Sequence, residues 1–163
     1  MEEGKGPILK TIVYYNSLDY PLTFEEISLF LFSNSKELDI SAGLKEIMAK
    51  GIIEKSGDFY FLKGRDELVE ARKERNELAK EKWKKTLKAV GWLRLIPYIR
   101  LVFASGSFAL GNTDEKSDLD VLIVVKHGRV WLTRFLTVVL LDFLGMKRKR
   151  GQLVAPDKIC LNH

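Results

Sequence analysis

Four residues in the C-terminal half of the chain have the types and spacing of a metal and phosphate site. Asp118 and Asp120 open the apolar run DLDVLIVV, and on a strand their two carboxylates would face the same side. Two like charges there are costly unless something neutralises them, and a hard divalent cation such as Mg²⁺ would do so. Gly106 and Ser107 follow another apolar run, where a turn would offer backbone N–H groups and a hydroxyl to a phosphate.

Each half of this pattern also has a plainer interpretation. Gly-Ser pairs are common in turns, and two acids at a strand end are often simply solvated. The combination is more specific, because ten residues separate Ser107 from Asp118 and an apolar strand is predicted on each side. The stretch GSFALGNTDEKSDLD resembles the signature of the DNA polymerase beta-like nucleotidyltransferase superfamily, in its minimal form. The resemblance covers about residues 99–163.

The resemblance implies a site that binds a nucleoside triphosphate. In the family, the Gly-Ser turn holds phosphates and two aspartates hold two metal ions. This implies that Gly106 and Ser107 bind phosphate, and that Asp118 and Asp120 are catalytic residues and ligands of Mg²⁺ or Mn²⁺. The implied reaction is attack of an acceptor hydroxyl on the α-phosphate, with pyrophosphate leaving. The cations would stabilise the attacking and leaving oxygens.

Two departures from the family pattern count against an active enzyme. Many small members have an arginine soon after the Gly-Ser pair, whereas this chain continues with Phe-Ala-Leu. Triphosphate binding would then depend on Lys116 or on the basic run Lys147–Arg150, although a solvated helix end explains that run equally well. The strand that should carry a third carboxylate, KICLN, has none, and Asn162 stands where one is expected. Either the full protein continues past His163 or the site is degenerate, and the end of the chain within this predicted strand suggests a truncated chain.

Composition describes a globular chain with an uneven charge. The 163 residues are 46% hydrophobic with a net charge of +5, but residues 1–64 carry a net charge of −3 and residues 65–100 one of +5. Cys160 is the one cysteine, which excludes an internal disulfide and favours a cytoplasmic location. The N-terminus lacks the apolar segment of a signal peptide. The apolar run 130–146 is short and contains Arg134 and Asp142, so we expect a buried helix and no membrane span.

The spacing of apolar residues predicts an α+β chain with three parts. Residues 1–64 are predicted to form three short helices and a hairpin, the architecture of a winged helix-turn-helix domain. Residues 65–98 are predicted to form a charged connecting helix. Its inward-facing stripe is expected to be Ala79, Trp83, Leu87 and Val90. Residues 99–163 alternate strand, short helix, strand, helix and strand, which predicts a nucleotidyltransferase-like mixed sheet with helices.

These patterns favour a Mg²⁺-dependent nucleotidyltransferase that uses an NTP, with ATP first, and an acceptor left open among RNA, protein and a small molecule. The alternative is a non-catalytic regulator, in which a winged helix and a degenerate nucleotidyltransferase-like domain bind DNA or a protein partner. The acidic residues 1–64 are a poor candidate for DNA binding, because affinity for DNA depends on phosphate neutralisation. An antitoxin-like half of a two-component nucleotidyltransferase system and a homodimer also stay open.

Overall fold

The residues that the computed structural model describes, which are 5–32, 38–148 and 156–162, form six helices and six strands. They belong to two units, Met1–Lys73 and Glu74–His163, called here the first and second unit. The predicted α+β class is confirmed, and each unit contains a three-stranded sheet. The connecting segment 65–98 is divided between the two units.

The first unit combines three short helices with a small antiparallel sheet of order β1-β3-β2. A capping box of Thr23 and Glu26 starts the second helix, and the side chain of Asp39 caps the third. The winged-helix assignment of this unit stays a prediction. The elements are α1 (Lys5–Asn16), β1 (Leu22–Thr23), α2 (Phe24–Leu29), α3 (Ile40–Ala49), β2 (Ile53–Ser56) and β3 (Phe59–Leu62).

A buried arginine fixes the start of the long helix within the first unit. The side chain of Arg72 is buried, and its Nη2 donates to Oε1 of Glu26 at 2.7 Å. Its guanidinium also lies 3.4 Å from the centre of the Tyr20 ring. A desolvated guanidinium over an aromatic face is a favourable cation–π arrangement, so these contacts anchor the first turns of the helix.

The second unit contains a mixed sheet, as predicted, and its strand order is β4-β5-β6. Strand β4 runs antiparallel to β5, and β6 runs parallel to it. The unit's elements, with the long helix that begins in the first unit, are α4 (Glu67–Leu93), β4 (Ile99–Ala104), α5 (Gly106–Ala109), β5 (Leu119–Val125), α6 (Val130–Phe143) and β6 (Ile159–Asn162). The core consists of Ala89, Leu93, Ile96, Phe108, Leu119, Val121, Leu141 and Ile159.

The inward-facing stripe predicted for α4 is wrong at two positions. Leu87 is 62% exposed, and Trp83 is 39% exposed although its ring packs on Phe108 at 4.9 Å. Small residues let a helix approach its neighbours closely, and most of the buried positions here are small. In the second unit the buried residues of α4 are Ala79, Lys82, Thr86, Ala89 and Leu93.

The prediction of a buried helix over residues 130–146 is also wrong. Only Thr133, Thr137 and Leu141 of α6 are buried. A helix beside a three-stranded sheet can bury one stripe, and the rest of its surface stays exposed. The exposed stripe is Trp131, Phe135, Val139 and Phe143. Within the described ranges, every helix is too short or too polar to cross a membrane.

A buried lysine holds the segments that precede β5 and β6. Lys82 is 3% exposed, and its Nζ donates to the carbonyl oxygen of Ser117 at 2.6 Å. The same Nζ lies 3.5 Å from Oδ1 of Asp157, which also pairs with Lys85. Burial acts to raise the pKa of Asp157, but its contacts with the two lysines outweigh burial and leave that pKa below its ordinary value. Lys82 therefore ties α4 to the residue just before Asp118.

We predict that Asp157→Asn lowers the free energy of unfolding by about 1 kcal/mol at neutral pH. The effect is small because the Asp157 side chain is one-third exposed, and solvent screens its ion pairs. Asparagine tolerates the left-handed backbone at this position, where φ is +58°, so mainly the charge is lost. Because the folded pKa is lowered, the contribution is present above the ordinary aspartate pKa of about 3.9 and is lost as the pH falls through the folded value. Urea unfolding at several pH values measures the difference, with the exposed Asp142→Asn as the control. A difference that stays constant into acid would contradict this account.

Candidate metal and nucleotide site

The alternation of β5 places the two aspartates as the sequence predicts. Leu119 and Val121 are buried in the core, so Asp120 between them points to the opposite face of the sheet. Asp118 immediately precedes the strand. The N–H of Leu119 donates to the carbonyl oxygen of Lys158 at 2.8 Å, which fixes this end of β5 against the start of β6.

The Gly106 turn lies directly against Asp120. Gly106 has a φ of +62°, a left-handed conformation that favours glycine. A Cβ placed on it would lie 3.1 Å from Oδ2 of Asp120. The N–H of Ser105 donates to the carbonyl oxygen of Asp120 at 3.0 Å, so the turn and the strand are joined by backbone as well. Glycine is therefore required here both for its backbone conformation and for its lack of a side chain.

Cys160 is a member of this cluster that the sequence-based prediction missed. In the parallel pairing of β5 with β6, Cys160 is the partner of Asp120, whereas Asn162 pairs farther along with Leu122. One carboxylate oxygen from each of Asp118 and Asp120 and the Sγ of Cys160 all lie within 4.8 Å of one another. Cys160, rather than Asn162, therefore lies beside Asp120, where the sequence analysis expected the third carboxylate of the family. The sequence put both residues on the same strand face, but only the register selects between them.

Arg148 contributes the positive charge of the site. Its Nη1 donates to Oδ2 of Asp118 in an ion pair, and the side chains are 34% and 19% exposed. The backbone N–H of Arg148 donates to the carbonyl oxygen of Ile159 at 3.1 Å, which holds this residue beside β6. The sequence identified the basic run 147–150 without singling out Arg148, and positions 149 and 150 lie outside the described residues.

The two aspartates also shape the electrostatics of their neighbours. Burial raises the pKa of the Cys160 thiol, and the charges of Asp118 and Asp120 raise it further, while Arg148 acts in the opposite direction. The thiol is hydrogen-bonded to Asp120 and Arg148. The hydrogen bond to Asp118 raises the pKa of Arg148. At neutral pH the cluster therefore holds a neutral thiol and a cationic guanidinium beside the aspartates.

The other two predicted site residues are both exposed. Ser107 is exposed on the short α5 helix, and its carbonyl oxygen accepts from the N–H of Asn112 at 2.9 Å. Lys116 is exposed in the loop before β5, where its backbone N–H donates to Oδ1 of Asp114 at 2.9 Å. The contacts of the described residues do not join the Lys116 side chain to the aspartates.

The residues present fit a divalent cation. Three half-buried ligand atoms converge within 4.8 Å, and two of them are carboxylate oxygens, the ligands that hard divalent cations prefer. The third is sulfur, a donor better suited to softer divalent metals. Arg148 already pairs with the Asp118 carboxylate, so one of these ligand groups holds a cationic partner in the cation-free cluster.

The second unit thus presents an Asp-x-Asp pair on a mixed sheet, directly against a glycine turn. Residues 83–158 match the family model described as "Nucleotidyltransferase domain". This segment is therefore similar to nucleotidyltransferase domains, in agreement with the resemblance seen in the sequence. No curated protein and no solved structure is significantly similar to the chain.

We predict that Gly106→Ala lowers the free energy of unfolding by about 1–2 kcal/mol, the usual cost of a left-handed conformation for a residue with a Cβ. The new methyl group would also press on Asp120. Urea unfolding measures the loss. Gly91→Ala is the matched control, because a Cβ there meets nothing within 4 Å and alanine favours the helix. Equal stability of Gly106→Ala and the wild type would show that the turn does not have this conformation.

Proposed function

We propose that the chain transfers a nucleoside monophosphate from an NTP, with ATP as the first candidate, to a hydroxyl acceptor in a reaction that depends on a divalent cation. The observation that carries this proposal is the convergence of Asp118 and Asp120 with the Gly106 turn in a segment that matches the nucleotidyltransferase domain. The family match supports nucleotidyl transfer as the general activity. The acceptor stays open among RNA, protein and a small molecule.

Gly106 and Ser107 are the residues proposed to meet the triphosphate. The absent side chain of Gly106 leaves space in front of Asp120, and the exposed hydroxyl of Ser107 can donate to a phosphate oxygen. Lys116 is exposed on the following loop, where it can add a positive charge to the nucleotide side of the site. Positioning and charge neutralisation would supply most of the catalysis, as in other phosphoryl transfers.

Asp118, Asp120 and Cys160 would together hold the cation. When bound, a divalent cation neutralises phosphate charge and stabilises the attacking and leaving oxygens. Cys160 lies on the strand that the family resemblance expects to supply a third carboxylate, so this chain offers sulfur where relatives offer oxygen. Because Mg²⁺ prefers oxygen ligands, we propose that Mn²⁺ supports the site better than Mg²⁺.

A non-catalytic regulator is the second candidate, and two features of the site favour it. Cys160 replaces the carboxylate that would help to activate the acceptor, and Arg148 occupies Asp118. A regulator would bind a nucleotide or a partner without turnover. Incubation with α-labelled ATP and candidate acceptors separates the two functions, since label transferred to any acceptor excludes a purely regulatory role.

We predict that Asp118→Asn and Asp120→Asn together weaken cation-dependent ATP binding by more than about tenfold, a loss of at least 1.4 kcal/mol. Two negative ligands disappear while the size of the side chains is kept. Isothermal titration with ATP and Mg²⁺ or Mn²⁺ measures the change. The control is Asp142→Asn, which removes an exposed acid from α6. Wild-type protein that binds no ATP with either cation would reject the proposed function.

We further predict that Cys160→Asp shifts the preference from Mn²⁺ towards Mg²⁺, because it replaces a sulfur ligand by an oxygen ligand. Cys160→Ser is the matched control, since it is similar in size and supplies neither thiolate nor carboxylate. Cation titrations measure the preference. The ultraviolet charge-transfer band of a cadmium–thiolate bond reports ligation by Cys160 directly and should be absent from both variants. If wild-type protein lacks this band with bound Cd²⁺, Cys160 is not a ligand.

A further inference from the structure

The ion pair between Arg148 and Asp118 engages one of the two carboxylates that would bind the cation. Nη1 of Arg148 donates to Oδ2 of Asp118, and oxygens of Asp118 and Asp120 belong to the same cluster of ligand atoms. A guanidinium on this oxygen supplies part of the charge that the two carboxylates need. A divalent cation bound to the same carboxylate would supply more positive charge.

Arg148 and a divalent cation therefore compete for Asp118. A cation that binds the same carboxylate brings two positive charges next to a third, and like charges at close range repel. The partly buried setting strengthens this repulsion, because the side chain of Asp118 is 19% exposed. We expect Arg148 to leave Asp118 when the cation binds.

The structure also restricts where Arg148 can go. Its backbone N–H is bonded to the carbonyl oxygen of Ile159 at 3.1 Å, so the residue stays beside β6 while its long side chain turns. That side chain is 34% exposed, which leaves it room to move towards solvent. A guanidinium released next to the cation is well placed for a phosphate, which it can bind through two parallel hydrogen bonds.

We propose that Arg148 alternates between two partners: it neutralises Asp118 while the cation is absent, and it binds the triphosphate once the cation has taken Asp118. The proposal rests on the proposed function for its second half. It accounts for the missing arginine after the Gly-Ser pair, where the chain has Phe108, Ala109 and Leu110. The positive charge for the triphosphate comes instead from Arg148, in the segment that follows α6.

In the first arm of the test, Mn²⁺ alone is titrated into wild-type protein and into Arg148→Gln. Binding is measured by calorimetry or by the electron paramagnetic resonance signal of free Mn²⁺. Without its competitor, Asp118 should bind Mn²⁺ about tenfold more tightly, equivalent to roughly 1.4 kcal/mol. Arg129→Gln is the matched control, because it removes the same charge beyond the opposite end of β5, where Arg129 packs over Tyr98. Affinity in Arg148→Gln equal to or weaker than wild type would overturn the exchange.

The second arm titrates ATP at saturating Mn²⁺. Arg148→Gln should weaken ATP binding by about tenfold, and Arg148→Lys should fall between, since lysine keeps the charge and loses the paired hydrogen bonds. Unchanged ATP affinity in Arg148→Gln would overturn the triphosphate role while leaving the proposed function intact. If wild-type protein binds no ATP, the proposed function and the triphosphate role both fail, and the Mn²⁺ arm alone decides whether Arg148 competes with the cation.

Discussion

Repulsion between two carboxylates at the start of β5 is the constraint on which the site of the second unit depends. Oxygens of Asp118 and Asp120 lie within 4.8 Å of each other, where their repulsion is on the order of 3 kcal/mol at an effective dielectric constant near 20. Three neighbours make the arrangement tolerable: Arg148 supplies a positive charge, Cys160 is uncharged, and Gly106 places no side chain against Asp120. Each of these three residues lies in a different segment of the chain. The two carboxylates therefore restrict which side chain each of those segments can place beside them.

The same strand supports the core and the site. Leu119 and Val121 point inward and pack with Phe108, the residue two positions after Gly106 in the glycine turn. Asp120 points outward between them. Because the core fixes β5 on one face, the carboxylate on the other face has a defined position. Lys82 adds a second anchor by bonding to the carbonyl oxygen of Ser117, next to Asp118. Packing and polar contacts of the unit thus position the charged atoms without touching them.

The features of the site that could be predicted from the sequence are those set by residues close together in the chain. The Asp-x-Asp pair and the glycine turn were predictable, because both arise within a few residues of each other along one strand or turn. The partner of Asp120 could not be predicted, because the register between β5 and β6 is set by long-range packing. The alternation of a strand places positions 160 and 162 on the same face, so the sequence alone does not choose between them. The buried face of α4 was misread for a similar reason: apolar spacing favoured Leu87, whereas Thr86 and Lys82 are the residues that face inward.

The two departures from the family pattern are linked by charge. A third carboxylate in place of Cys160 would leave three negative charges around a single guanidinium, and the cation-free cluster would be strongly repulsive. With a neutral thiol there, the half-exposed cluster holds two carboxylates beside the guanidinium of Arg148. A neutral Cys160 therefore makes it easier for the cluster to remain folded without a cation. The neutral thiol and the ion pair with Arg148 therefore both limit the repulsion that the two aspartates would otherwise exert in the cation-free cluster.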